Sequence, residues 1–169
     1  MNKTGFGFLR PPRLDPDDAK SVDYTALNAL VDRFLELGGN FFDTAYTYLD
    51  GISEEAIRKT VVERHPRDSF RLMDKLPGYL SKTDCQTYFE ESLHRCGVDY
   101  FDFYLMHAMS AGRHQKYLDT RAYEIAQEMK AEGKLRHVGM SFHDSAEVLD
   151  QILNDRPEIE VVQLQINYV

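Results

Sequence analysis

Short apolar runs alternate along the chain with longer stretches whose apolar residues recur every three or four positions. The runs are GFGFL (5–9), NFFDTA (40–45), SFRLMDKL (69–76), YFDFYLMH (100–107), RHVGMSF (136–142) and VVQLQINY (161–168). Their length and their β-branched and aromatic content read as strands. Between the first two, Leu27, Leu30, Val31, Phe34 and Leu35 are spaced for a helix over 23–37, stopped by Gly38 and Gly39. Ser53 reads as an N-cap, with Glu54 and Glu55 in the first turn of a helix to about Arg64. Ser81 or Thr83 would cap a helix through Cys96, ended by Gly97. Another helix is expected at about 119–132, ending at Gly133. Asp144 or Ser145 would cap the last, which runs to about Asn154 before Pro157. The connection RPPRLDPDD (10–18) is too rich in Pro and Asp for regular structure.

Strand and helix thus alternate five times before a sixth strand. Such alternation demands a parallel sheet covered by helices. A doubly wound sheet and a (β/α)8 barrel both fit. The doubly wound reading wants GxGxxG after the first strand, and GFGFLR lacks it. Two prolines follow, where a phosphate cradle needs free N–H groups. The expected fold is therefore α/β, of the (β/α)8 TIM-barrel type, incomplete, with about six of eight strands in one domain over 1–169. A closed barrel needs about 250 residues. Strands one and six are then expected as open edges, which favours self-association.

The 169 residues are 43% hydrophobic and 28% charged, with a formal net charge of −8. That balance disfavours nucleic acid or an anionic membrane as a main partner. The N-terminus has no apolar signal core, and no stretch approaches the ~18 apolar residues of a membrane span. A soluble, cytoplasmic protein is expected. Cys85 and Cys96 lack metal-ligand spacing and read as reduced thiols on a helix.

In a barrel, chemistry gathers at the C-terminal ends of the strands. There strand two ends in Asp43, with Tyr48 in the following loop; strand three ends near Lys75 and strand four in His107. Taken singly, each has a bland reading as a turn former, a surface lysine, a core tyrosine or a polar strand tip. On three consecutive strands, about 4.8 Å apart, they should converge. A phenol titrates near pH 10, and a nearby ammonium lowers that value. The aspartate would keep the lysine charged, and a neutral histidine could orient a carbonyl. The set suits reduction of an aldehyde or ketone by hydride from a nicotinamide cofactor. The histidines His107, His137 and His143 lack ligand spacing, so no metal is expected. His65, His94 and His114 read as surface residues. Arg10 and Arg13 lie near the barrel mouth; Tyr46 and Tyr79 read as pocket walls.

FFDTAYTYLDGISEEAI resembles the aldo-keto reductase signature of Asp-Thr-Ala, Tyr and Gly-x-Ser-Glu. DKLP and DFYLMH resemble that family's lysine and histidine motifs, and GKLRHVGMSFH and VVQLQINY its fifth and sixth strands. CGVDYFDFYLMHA and EGKLRHVGMSFHDS resemble the bacterial branch whose longer members carry a ferredoxin-like iron–sulfur tail; no cluster is expected within this chain. The resemblance implies that Tyr48 is the general acid and that Lys75 lowers its pKa. Asp43 would pair with Lys75 and border the nicotinamide ribose, and His107 would orient the carbonyl. Ser141 and Gln163 match positions that hold the nicotinamide carboxamide; where the family often has Asn after that serine, this chain has Phe142. The implied cofactor is NADP(H), with NAD(H) as the alternative, and the partner a small-molecule carbonyl substrate. Against this stand a catalytically inactive scaffold that acts through self-association or a partner and, behind it, a barrel enzyme of metal-assisted hydrolysis.

Overall fold

The computed structural model describes residues 4–80 and 85–166. The expected caps Ser81 and Thr83 lie outside them, as do the last residues of the sixth apolar run. Six parallel strands, β1 (Gly5–Gly7), β2 (Phe41–Asp43), β3 (Arg71–Leu76), β4 (Phe101–Met109), β5 (Leu135–Phe142) and β6 (Val161–Leu164), pair in sequence order. The helices are α1 (Tyr24–Glu36), α2 (Ser53–Ile57), α3 (Cys85–Cys96), α4 (Ala111–Asp119), α5 (Ala122–Ala131) and α6 (Ala146–Asp155). None is long and apolar enough to cross a membrane.

The sheet is strongly curled. In a flat sheet, β2 and β6 would stand four strand spacings apart, about 19 Å. Instead Gln163 on β6 donates from Nε2 to Asp43 Oδ2 on β2 at 3.5 Å. Phe41 on β2 and Phe103 on β4 meet at 5.5 Å between ring centroids, across the intervening strand. This is the curvature of a barrel wall, and it decides against the open doubly wound sheet. Among the described residues the chain builds six of the eight strands that such a barrel uses.

Alternate residues face opposite sides of the wall. Phe42, Leu72, Tyr104, Met106, Val138 and Met140 face outward into the main core, with Leu27, Val31, Phe89, Tyr123, Met129 and Ile152 from the helices. Inside, Leu105 fills the barrel because its neighbour is Gly139: a Cβ there would lie 2.5 Å from Leu105 Cδ2 and 2.5 Å from the Val161 carbonyl oxygen.

Local signals held at several ends. Asp23 caps α1 by accepting from Ala26 N–H, and Ser145, not Asp144, caps α6. Three expectations are corrected. Ser53 is not an N-cap: its hydroxyl is buried, bonded to Thr44 Oγ1 at 2.7 Å and donating to the Phe8 carbonyl at 3.1 Å. It ties the end of β2 to β1. The helix after it turns into a π-helical segment, Arg58–Val62. Residues 111–119, nearly all ahead of the helix expected at about 119–132, form a helix of their own, α4, which the pattern hides because few of its residues are apolar.

Candidate active site

The site is built on the C-terminal ends of the strands. Asp43 ends β2, and the backbone then winds through a 3-10 turn, Tyr48–Gly51, where Leu49 (φ 53°) and Asp50 (φ 50°) are left-handed. For residues with a Cβ this conformation is costly, about 1–2 kcal/mol each. Tyr48 stands at the start of the strained turn. Lys75, on β3, is 1% exposed. Its ammonium donates to Asp43 Oδ1 and, at 2.7 Å, to the Thr44 carbonyl, and lies 4.7 Å from the Tyr48 ring centroid. The Tyr48 and His107 rings meet edge to face at 5.6 Å.

His107 is aimed by a bulge. The β4–β5 register shifts between Met106 and Met109, and Ala108 takes φ 53°. Three groups brace this kink. Ala108 N–H donates to Ser141 Oγ at 2.7 Å, and Arg113 donates to the Ala108 carbonyl at 2.8 Å. The Tyr117 hydroxyl lies 2.7 Å from the His107 carbonyl and 2.8 Å from that of Leu76, linking β3 to β4. Burial, and then the charges of Lys75, Arg113 and His143, pull the His107 pKa from 6.5 down to about 3. The ring is therefore neutral at physiological pH. Its Nδ1 is buried with no hydrogen-bond partner among the described residues. An unpaired buried N–H costs more than an unpaired lone pair, which assigns the proton to Nε2.

Tyr48, His107, Ser141, His143, Gln163 and Leu164 line a cleft of about 260 Å³. Ser141 and Gln163 are register partners on adjacent strands. All six residues singled out from the sequence thus gather at one end of the wall. Tyr79 packs beside His107, with 6.3 Å between centroids. Tyr46 does not wall the cleft: its hydroxyl donates to Glu91 on α3, and Arg95 covers its ring. His65 and His114 are half-buried rather than on the surface; His114 Nδ1 lies 2.9 Å from the Tyr123 hydroxyl. The braces Arg113 and Tyr117 went unread because α4 did.

Behind Lys75 lies a cluster without a sequence signal. Glu54, Asp74 and Cys96, each fully buried, bring potential ligand atoms within 4.8 Å of one another. Burial raises the pKa of both carboxyls, and for Asp74 the charge of Glu54 adds to it. One proton held between them removes most of that cost. Asp74 also accepts from Lys75 N–H at 2.7 Å, so the pair underpins the strand that carries the ammonium. Cys85 and Cys96 are buried and unbridged.

A curled wall of parallel strands, helices outside and a polar cluster at the strands' C-terminal ends define an α/β barrel-type scaffold. The model of the aldo/keto reductase family matches residues 6–169, and the chain belongs to that family. It is similar to an aldo-keto reductase from Bacillus halodurans in its holo form, with a TM-score of 0.73 and 24% identity over 96% of this chain and 52% of that one. It is also similar to an aldo/keto reductase from Klebsiella pneumoniae in complex with NADP and acetate, with a TM-score of 0.70 and 25% identity over 96% of this chain and 53% of that one. For an aldo/keto reductase from Brucella melitensis the TM-score is 0.68, at 22% identity, over 96% of this chain and 57% of that one. The chain spans about half the length of the structures it matches.

Proposed function

We propose that this chain carries the substrate-side machinery of an NADP(H)-dependent carbonyl reductase. The carrying observation is the contact set of Lys75: its ammonium is held by Asp43 and the Thr44 carbonyl and rests 4.7 Å from the Tyr48 ring centroid, with His107 on that ring's edge. Tyr48 is the proton donor to the carbonyl oxygen. As the proton leaves, negative charge gathers on the phenol oxygen, and the fixed ammonium stabilises it without reorganising. Asp43 holds the ammonium in place. Neutral His107 donates from Nε2 to the same carbonyl oxygen and so fixes its direction.

The donor set fits the nicotinamide end of the cofactor. Gln163 offers both amide functions, and among the described residues the Ser141 hydroxyl hydrogen has no acceptor while its oxygen accepts from Ala108 N–H. A cleft of about 260 Å³ suits a nicotinamide ring and a small carbonyl group rather than a whole dinucleotide. When bound, the cofactor supplies the hydride. NADP in the Klebsiella pneumoniae relative favours NADP(H) over NAD(H).

The test is NADPH titration and NADPH oxidation with a panel of aldehydes, using wild type, Tyr48→Phe and Lys75→Met. Turnover should fall by about 10²- to 10⁴-fold in each variant, with cofactor affinity little changed in Tyr48→Phe. Turnover that survives Tyr48→Phe would remove the phenol from its role. A second reading, a non-catalytic scaffold, draws on the one-sided pairing of β1 and β6 and on exposed Leu164 and Ile166. Sedimentation showing self-association, together with no NADPH binding, would favour it.

A further inference from the structure

Tyr48 lines a second cleft, also of about 260 Å³, whose other walls include Leu9, Arg10, Arg13, Leu49 and Asp50. It lies where the β1–α1 connection meets the strained turn after Tyr48. That connection is well tied despite its length. Leu14 N–H donates to the Ser21 carbonyl at 2.7 Å and Asp23 N–H to the Pro12 carbonyl at 3.0 Å. Arg13 and Val22 form an antiparallel bridge, and the Ser21 hydroxyl donates to the Asp15 and Asp18 carbonyls. The backbone bearing the two arginines is therefore anchored.

The charge distribution singles the cleft out. The chain carries a net charge of −8, so carboxylates are plentiful. Every arginine from Arg33 to Arg156 other than Arg113 has a carboxylate within 4.0 Å. Arg10, Arg13 and Arg113 do not, among the described residues, and all three stand around the mouth. Arg113 is occupied: it donates to the Ala108 carbonyl and covers the Tyr79 ring at 4.4 Å. Arg13 donates one bond, to the Pro16 carbonyl at 3.1 Å. The Arg10 guanidinium has no hydrogen bond or ion pair among the described residues. Asp50 is on the same wall, but neither arginine reaches it, and the lining stays net positive. A planar guanidinium with free donors, beside an anchored second one, is suited to a carboxylate.

We propose that Arg10, backed by Arg13, is an anion subsite of the mouth, so that the preferred substrates are carbonyl compounds bearing a carboxylate remote from the carbonyl. The inference rests on the reductase reading for its direction: the carbonyl oxygen meets Tyr48 from the His107 side, and the carboxylate extends past Tyr48 to Arg10. Aromatic or aliphatic oxo acids of moderate length fit this description.

Calorimetric titration with 4-formylbenzoate and its neutral methyl ester tests it without turnover. In wild type the acid should bind about tenfold more tightly than the ester, and added salt should shrink the difference. Tyr48→Phe should keep the preference, Arg10→Met should abolish it, and Arg10→Lys should restore part of it. Equal affinities in wild type, or a preference that survives Arg10→Met, would overturn the subsite. So would weakened NADPH binding in Arg10→Met with the acid preference intact, which would give Arg10 to the cofactor's phosphates. An intact acid preference without NADPH oxidation would sink the reductase reading and leave the subsite standing.

Discussion

The two ends of the barrel wall are built on opposite terms. At the N-terminal end, Asp102 is 1% exposed and amply partnered. Its carboxylate pairs with Arg67 at 2.7 Å, Arg136 at 2.9 Å and Arg71 at 3.6 Å, and accepts from Leu72 N–H at 3.0 Å. The Tyr100 ring lies between Arg67 and Arg136, 3.9 Å and 4.3 Å from them. At the C-terminal end, His107 Nδ1 has no partner among the described residues and three residues with side chains hold left-handed backbone: Leu49, Asp50 and Ala108. One end pools an aspartate and three arginines into one network, with only Arg67 Nε of that network buried and without a partner among the described residues, and ties three strand regions together. The other keeps polar groups in reserve and stores strain next to Tyr48 and His107. Such asymmetry is expected when one end of a fold carries stability and the other carries chemistry.

Breaking the networked end should cost most. Asp102→Ala leaves three arginines without their shared anion and Leu72 N–H without its acceptor. A loss of about 3 kcal/mol is expected in urea unfolding. A loss below about 1 kcal/mol would mean that the half-exposed arginines are satisfied by water and that this end is not the fold's clamp. The strained end should respond in the opposite sense. Ala108→Gly removes the left-handed penalty and should be neutral or stabilising by up to about 1 kcal/mol, while loosening the bulge that aims His107. Turnover should fall although stability does not. A stability loss of 2 kcal/mol or more, on the scale set by core substitutions, would show that the bulge belongs to the scaffold after all.

The smallest effect near neutrality is that of pH. The folded-state pKa of His107 is depressed from 6.5 to about 3, so the unfolded chain binds the proton more readily. This group's contribution therefore favours the fold above pH 6.5 and is lost progressively as pH falls from there toward 3. Between pH 7 and 6 the loss is under about 1 kcal/mol, and His107→Gln should flatten it. Identical pH profiles for wild type and His107→Gln would show that the imidazole is not desolvated as its burial implies.

The alternation of apolar runs with helical periods made the order of the six strands legible, because period 2 and period 3.6 are local properties of the chain. The residues at the strand ends were legible for the same reason: Asp43, Lys75 and His107 each terminate a recognisable run, and parallel pairing brings such ends to one side. Resemblance added Ser141 and Gln163. Other features were not readable. Ser53 looks like a cap because caps and buried linkers use the same hydroxyl, and only packing against Phe8 and Thr44 distinguishes them. The helix α4 has too few apolar residues to announce itself; it is held by Tyr117, whose hydroxyl reaches two strand carbonyls.

The sequence by itself determined the succession of elements, the parallel sheet and the chemical types at its mouth. The tertiary structure decided that the sheet curls, so that Gln163 on β6 reaches Asp43 on β2 although three strands separate them in the sheet. It decided that Glu54, Asp74 and Cys96 share a buried site, and which arginines go unpaired. These depend on the distance between residues far apart in the chain, and such distances are set by the summed twist and packing of the whole wall rather than by any local pattern.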